Sequence, residues 1–308
     1  MDFFWESLPQ CLINGLTRGS IYALIAIGFT IIYNATDIIN FAQGEFAMLG
    51  GVLVIALVGG SAFASTPLGQ VVHVSAPLWL AAPLAVAGVV LIAAGFERAT
   101  LHLVKSAAHI NLIIITIGGS IFFKGAAMLL WGKDDLPLRA FSGNQPLHLA
   151  GAVLAPQNLW IWAVTLITVV VLHEFYQRTI TGKALRACAQ NPVAGALMGV
   201  NVRRMHLVTF LLSGAIGALA GVIITPMIFT NYQIGSLIGL QGFCSAILGG
   251  MGSIYGAVVG GLLIGVLESL FGTHVSSGYM DAFAFLVLLL VLLIRPSGLL
   301  GEAQADRA

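Results

Sequence analysis

The stretch Arg178-Thr-Ile-Thr-Gly-Lys-Ala-Leu-Arg-Ala-Cys-Ala-Gln-Asn-Pro-Val-Ala-Gly-Ala-Leu-Met-Gly-Val-Asn-Val-Arg-Arg204 interrupts an otherwise oily chain, with polarity that begins at Gln177 and lasts to His206. It carries five of the thirteen Lys and Arg residues and no acid. Its later half has the marks of a short helix. Asn191 can cap the exposed amides, Pro192 suits the first helical position, and Gly199 can take the left-handed turn that ends it. Val193, Ala194, Ala196, Leu197 and Met198 then form a small, largely apolar rod beside a basic rim. Apolar surface in water needs a cover. Two covers suit it: lipid headgroups, with the arginines on anionic phosphates, or a protein that grips the rod.

Outward from this platform the chain is hydrocarbon. Of 308 residues, 58% are hydrophobic and 8% charged, with mean hydropathy +0.99, outside the balance of a soluble domain. About 20 apolar residues at 1.5 Å rise span a bilayer core, and lipid offers no partner to an open backbone group. The pattern therefore predicts an all-α integral membrane protein with about eight or nine membrane-entering helices. They run near Cys11 to Tyr33, Gly44 to Phe63, Pro77 to Phe96, Asn111 to Trp131, Asn158 to Tyr176, His206 to Phe229, Ser236 to Gly249, Gly256 to Phe271 and Asp281 to Ile294. The seventh is short for a crossing. No separate soluble domain is long enough to fold alone, so residues 1–308 read as one membrane domain. A net charge of +1 argues against nucleic acid as a partner.

Positive residues favour cytoplasmic loops. With nine segments and the Arg178–Arg204 loop inside, Arg98 and Lys105 are inside, as are Arg295 and Arg307, and the N-terminus lies in the periplasm. The loop from Gly132 to Gln157 is then outside, where Asp134 and Asp135 balance Lys133 and Arg139. Met1 to Gln10 holds Asp2 and Glu6 but no Lys or Arg, so no cleavable signal is expected and the first span stays as structure. Cys11, Cys188 and Cys244 have no paired spacing and read as small apolar fillers.

Between the first two spans, Asn40-Phe41-Ala42-Gln43-Gly44-Glu45 offers two compatible readings. In one, Asn40 caps the next helix, Gln43 reaches back as in a capping box, and Glu45 complements the positive helix end. In the other, a helix end beside a cavity presents polar groups to a solute, as broken helices in transporters do. Glycine is dense from Gly239 to Gly265, where Gly256 with Gly260 and Gly261 with Gly265 suit close helix packing. The break at Gly249 to Ser253 suits a kink or a re-entrant turn, although no clean internal repeat relates the two halves.

Lys124 lies inside the fourth span and is expected to snorkel outward or face protein. Glu268, Asn14, Thr17 and Arg18 are expected near the outer interface. Thr116 and Ser120 share a helical face and either line a pathway or bond their own backbone. The candidate pathway set is Asn40, Gln43, Glu45, Thr116, Ser120 and Ser245. No phosphate loop of the form G-x-x-x-x-G-K-[ST], no H-E-x-x-H and no G-x-S-x-G occurs, so the chain is not expected to hydrolyse ATP or to be an enzyme. An ion-coupled secondary transporter would want buried acids in mid-membrane, whereas Glu45, Glu268 and Asp281 fall near predicted span ends.

The chain resembles the permease subunits of bacterial branched-chain amino acid ABC importers of the LivH type. The resemblance rests on Asn14-Gly-Leu-Thr-Arg-Gly-Ser-Ile-Tyr-Ala-Leu-Ile-Ala-Ile-Gly28, Ile39-Asn-Phe-Ala-Gln-Gly-Glu-Phe-Ala-Met-Leu-Gly50, Gly182-Lys-Ala-Leu-Arg-Ala-Cys-Ala-Gln-Asn191 with Gly199-Val-Asn201, Leu248-Gly-Gly-Met-Gly-Ser-Ile-Tyr-Gly-Ala257 and Arg295-Pro-Ser-Gly-Leu-Leu-Gly301. It implies an ABC-importer permease fold in the inner membrane whose cytoplasmic coupling helix docks on an ATPase through Gly182, Arg186, Asn191, Pro192, Leu197, Gly199 and Asn201. The implied partners are a homologous second permease in a heterodimer, two ABC ATPase subunits that use ATP and Mg, a periplasmic solute-binding protein and membrane lipid. No cofactor is implied for this chain. Two departures leave urea or short amides as alternative solutes: Leu101-His-Leu-Val-Lys105 replaces an R-P-L-R stretch, and Gln43 stands where many relatives have His.

Overall fold

The computed structural model describes residues 2–71, 74–100, 109–143, 145–149, 152–295 and 297–301; the departure at Leu101–Lys105 and the charge at Arg307 lie outside them. The helices in chain order are α1 (Asp2–Thr36), α2 (Gln43–Val58), the single turn α3 (Ser61–Ala64), α4 (Leu78–Thr100) and α5 (His109–Trp131). After them come an antiparallel strand pair, β1 (Leu147–Leu149) and β2 (Ala152–Leu154), then α6 (Pro156–Arg178), α7 (Ile180–Gln190), α8 (Pro192–Leu197), α9 (Val202–Ile224), α10 (Ile234–Gly249), α11 (Ile254–His274) and α12 (Met280–Ile294). Among the described residues, six helices are long and apolar enough to cross a membrane: α1, α4, α5, α6, α9 and α11. Three shorter apolar helices, α2, α10 and α12, accompany them.

The centre of the bundle is α1. In its most apolar window 89% of residues are buried, against 17% for α5 and 22% for α4 and α6. Glycine explains how it can be so enclosed. A Cβ on Gly19 would sit 2.8 Å from the Leu262 backbone, and one on Gly261 would sit 2.5 Å from the Ala23 amide nitrogen. Bare backbones therefore touch where side chains would hold the helices apart, which in lipid is a main source of helix association. Of the two small-residue pairs read from the sequence, Gly261 and Gly265 meet α1, whereas Gly256 and Gly260 meet α10 at Gly249 and the Ser245 carbonyl. The two stripes lie on different faces of α11, and on α1 the Gly261–Gly265 stripe meets Gly15 and Gly19.

Contacts along the helices fix their directions. Ser7 reaches His274 at 3.1 Å and Asn34 reaches the Gly252 carbonyl at 2.8 Å, so α1 and α11 run antiparallel. At the end of the bundle that holds Asn34 lie the α10–α11 turn and the segment after α12, where Leu299 and Leu300 donate to the carbonyls of Leu248 and Gly249. The platform helix α7 packs against α1 and α9. The opposite end holds the strand pair, tied to α1 by Gln10, whose side chain bonds both the N–H and the C=O of Val153. There the loop after α5 bridges to the segment before α10 through Leu136 and Thr230.

One feature of the trace positions the site. From Asp37, in the left-handed region at φ 53°, the chain folds back, so that Gln43 at the start of α2 lies beside Gly28 of α1 and Ser213 of α9. Gly28 is eight residues before the end of α1, or about 12 Å at 1.5 Å per residue. The second helix thus begins inside the bundle. It ends sooner than the expected Phe63, at Val58, because Gly59 and Gly60 both take positive φ.

Candidate functional site

The start of α2 gathers most of the predicted pathway residues. Asn40, Gln43 and Glu45 are fully buried. Ser120 of α5 and Ser236 of α10 each donate to Glu45 Oε1 at 3.0 Å, and Lys124 of α5 donates to Ser236 Oγ at 3.5 Å. Thr116, one turn before Ser120, accepts from the Phe41 N–H at 3.3 Å and donates to the Ile113 carbonyl at 2.8 Å, so it ties α5 to the segment between α1 and α2 while bonding its own helix. Gln43 donates to the Ser213 carbonyl at 3.2 Å, and the Ser213 hydroxyl lies between Gln43 Oε1 and the Gly28 carbonyl. Two buried polar atoms, Glu45 Oε2 and Asn40 Nδ2, have no hydrogen-bond partner among the described residues, in a setting where leaving a polar group unpaired is costly.

Several expectations require correction. The capping box does not form: Asn40 Oδ1 accepts from the Ala42 amide as a local turn, α2 has no side-chain cap bond, and Gln43 turns away to Ser213. Interhelical bonding has outcompeted capping because α2 starts among other helices rather than in water. Of the two courses expected for Lys124, the structure shows it facing protein: it is half-buried and reaches Ser236 of α10. Ser245 is buried, but its hydroxyl bonds the Gln241 carbonyl of its own helix, on the side packed against α11. Glu268 does not face outward from the bundle: it is wholly buried and accepts from Tyr22 and Gln241 on two other helices.

The polar stretch that follows α6 folds into two helices where one was expected. Thr179 caps α7 by accepting from the Gly182 amide at 2.9 Å. Gly182, Leu185 and Cys188 form the buried face of α7, and Arg186 and Lys183 point out. Gly182 therefore positions the platform rather than facing a partner: a Cβ there would come within 2.7 Å of the Tyr176 backbone. Burial pushes the Cys188 thiol up in pKa. Asn191 Oδ1 accepts from the amides of Val193 and Ala194 at 3.0 and 2.9 Å, Pro192 opens α8, Gly199 ends it at φ 87°, and Asn201 caps α9 through the Arg204 amide. Leu197 and Met198 are 85% and 86% exposed at its tip.

The family model for the branched-chain amino acid transport system permease component matches residues 11–292. The chain belongs to this permease family. The permease is 32% identical to the high-affinity branched-chain amino acid transport system permease protein LivH of Escherichia coli K12, and 36% identical to BraD of Pseudomonas aeruginosa, a protein described in the same words. Both alignments cover 97% of each chain. A solved structure, PsaBC from Streptococcus pneumoniae in complex with Fab, shares the fold at a TM-score of 0.50 over 96% of both chains, with 11% identity.

Four polar side chains of the permease escaped the sequence reading: Ser213, Ser236, Tyr22 and Gln241. Each is a lone polar group in an apolar helix, and its partner lies more than twenty residues away, so local spacing carried no signal. Only Ser236 sat at a predicted span boundary, where its role looked generic.

Proposed function

We propose that the permease is the membrane-spanning subunit of an ATP-driven importer for branched-chain amino acids, with residues 1–308 acting as one transmembrane domain. On this reading nine segments enter the membrane, the N-terminus is periplasmic and the C-terminus cytoplasmic. The charges support that orientation. The platform arginines and Arg295 gather at one end, whereas in the loop after α5 at the other Asp134 and Asp135 balance Lys133 and Arg139, in the sense that favours basic residues in the cytoplasm.

The observation that carries the proposal is the rod at α8. Leu197 and Met198 project into water from a helix closed at both ends by Asn191 and Gly199, and an ATPase subunit is the cover that turns this exposure into a handle. Gly182 to Asn201 is the coupling element, with Arg186 on its outer face. Because α7 packs on α9, and α9 presents Ser213 to Gln43, a push on the platform reaches the start of α2, where Asn40, Gln43, Glu45, Thr116 and Ser120 line the solute path. The partners are a homologous second permease, two ATPases that consume ATP and Mg, and a periplasmic solute-binding protein. The names of the relatives support the branched-chain class of solute.

Uptake of labelled leucine by proteoliposomes holding the full complex tests this. Transport is expected only with ATP and loaded binding protein. Uptake by this chain alone, driven by an ion gradient, contradicts it.

A further inference from the structure

The Glu45 cluster contains more than the pathway reading asks of it. Glu45 sits in the first turn of α2, and Ser236, which donates to it, sits in the first turn of α10. Two helix starts, each with a positive dipole end, therefore converge on one carboxylate. Lys124 adds a full positive charge one hydrogen bond further out, at Ser236. On the other side, Glu45 Oε2 is buried without a donor and rests against Gly235, where a Cβ would come within 3.0 Å of Glu45 Cδ. Burial falls off outward from the acid: Glu45 is fully buried, Ser120 and Lys124 are half-buried, and Ser236 is exposed.

The cluster also lies deep. Lys124 is seven residues from the end of α5 and Ser213, beside Gln43, is eleven from the start of α9, or roughly 10 and 17 Å. A lysine at that depth is expected to face protein or a water-filled cavity rather than lipid, and transporter solute sites are built near the midplane from helix ends.

We infer that Glu45 and Lys124, bridged by Ser236 and with Ser120 as a second donor to Glu45, form a subsite for the head group of a free amino acid, with the ammonium received at Glu45 and the carboxylate at Lys124. The inference rests on the importer reading above and deepens it. Opposite charges spaced by one serine match a zwitterion whose own charges are separated by one carbon. A neutral amide or a sugar has no use for this pairing. Lys124 becomes a specificity residue instead of a snorkelling one.

Leucine uptake by the complete complex in proteoliposomes, with ATP and binding protein, tests the subsite. Lys124→Met is expected to lower uptake at least tenfold and Lys124→Arg less than threefold, with assembly and the ATPase stimulation by loaded binding protein retained. The double variant Lys124→Met with Glu45→Gln separates binding from charge balance: it is expected to stay as poor as the single variant. Wild-type uptake in Lys124→Met, or its recovery in the double variant, overturns the inference and assigns the pair a structural role. If the Glu45 variant does not assemble, Lys124→Met and Lys124→Gln against Lys124→Arg decide it by the same thresholds. A wild-type complex that takes up no leucine defeats the importer reading instead, so the two failures are distinct.

Discussion

The hydroxyl of Tyr22 on α1 donates to the carboxylate of Glu268 on α11 at 2.7 Å, with both side chains inside the bundle. Gln241 of α10 donates to the other carboxylate oxygen at 3.1 Å, so one acid joins three helices. Such interhelical bonds in membrane proteins contribute about 0.6 kcal/mol on average and up to about 1.7, whereas stranding a buried polar partner costs about 1–3 kcal/mol. Tyr22→Phe is therefore expected to destabilise the permease by about 1 kcal/mol, and Glu268→Ala by about 2–3, read as unfolding midpoints in detergent. Equal midpoints for both variants and wild type would remove the triad from the stabilising set.

The backbone contact between Gly19 and Gly261 sets a sharper demand. Gly261→Leu pushes a side chain into the Ala23 backbone 2.5 Å from where its Cβ must sit, whereas Gly118 on α5 has nothing within 4 Å of that position. Overpacking typically costs about 1–3 kcal/mol, and here the obstacle is main chain that cannot rotate away. Gly261→Leu is expected to abolish the monodisperse folded species on size-exclusion chromatography, and Gly118→Ala to leave it unchanged.

The rod depends on its cap. Asn191→Ala removes the acceptor for two amides at the start of α8, a loss of about 1 kcal/mol. For a helix of six residues that is enough to fray it. Faster amide exchange confined to residues 192–198 is the expected signature, with the exchange of α9 unaltered.

Arg186 stands exposed on the outer face of α7, with a 3.4 Å contact to Gln177 among the described residues. Arg186→Glu is expected to weaken association with the ATPase subunit about tenfold or more in a pull-down while membrane insertion is preserved, because no buried contact is lost. Unchanged association would take Arg186 out of the coupling surface.

How much of this was legible in the sequence follows from the range of each signal. The spans, the platform and its caps at Asn191 and Gly199 are local: a few neighbouring residues specify them, and the structure shows those caps in place. Asn40, Gln43, Glu45, Thr116 and Ser120 were legible as polar groups out of place in lipid, and they do come together. What they bond to was not, because Gln43 finds Ser213 across 170 residues and Glu45 finds Ser236 across 191. The capping-box reading failed for the same reason: it assumes a helix start facing water, and the fold-back after Asp37 places this one among α1, α9 and α10. The burial of Glu268 was not legible, because nothing nearby in sequence announced Tyr22 or Gln241.

The most direct measurement for the central claim is site-specific labelling and cross-linking at the tip of α8. The native cysteines Cys11, Cys188 and Cys244 are free and buried, each no more than 2% exposed, so Leu197→Cys adds one reactive thiol against a quiet background. The account predicts that an impermeant maleimide modifies it only from the cytoplasmic side, that added ATPase subunit protects it, and that a short bifunctional reagent joins it to that subunit. Modification from the periplasmic side, or unaltered labelling in the assembled complex, would contradict it.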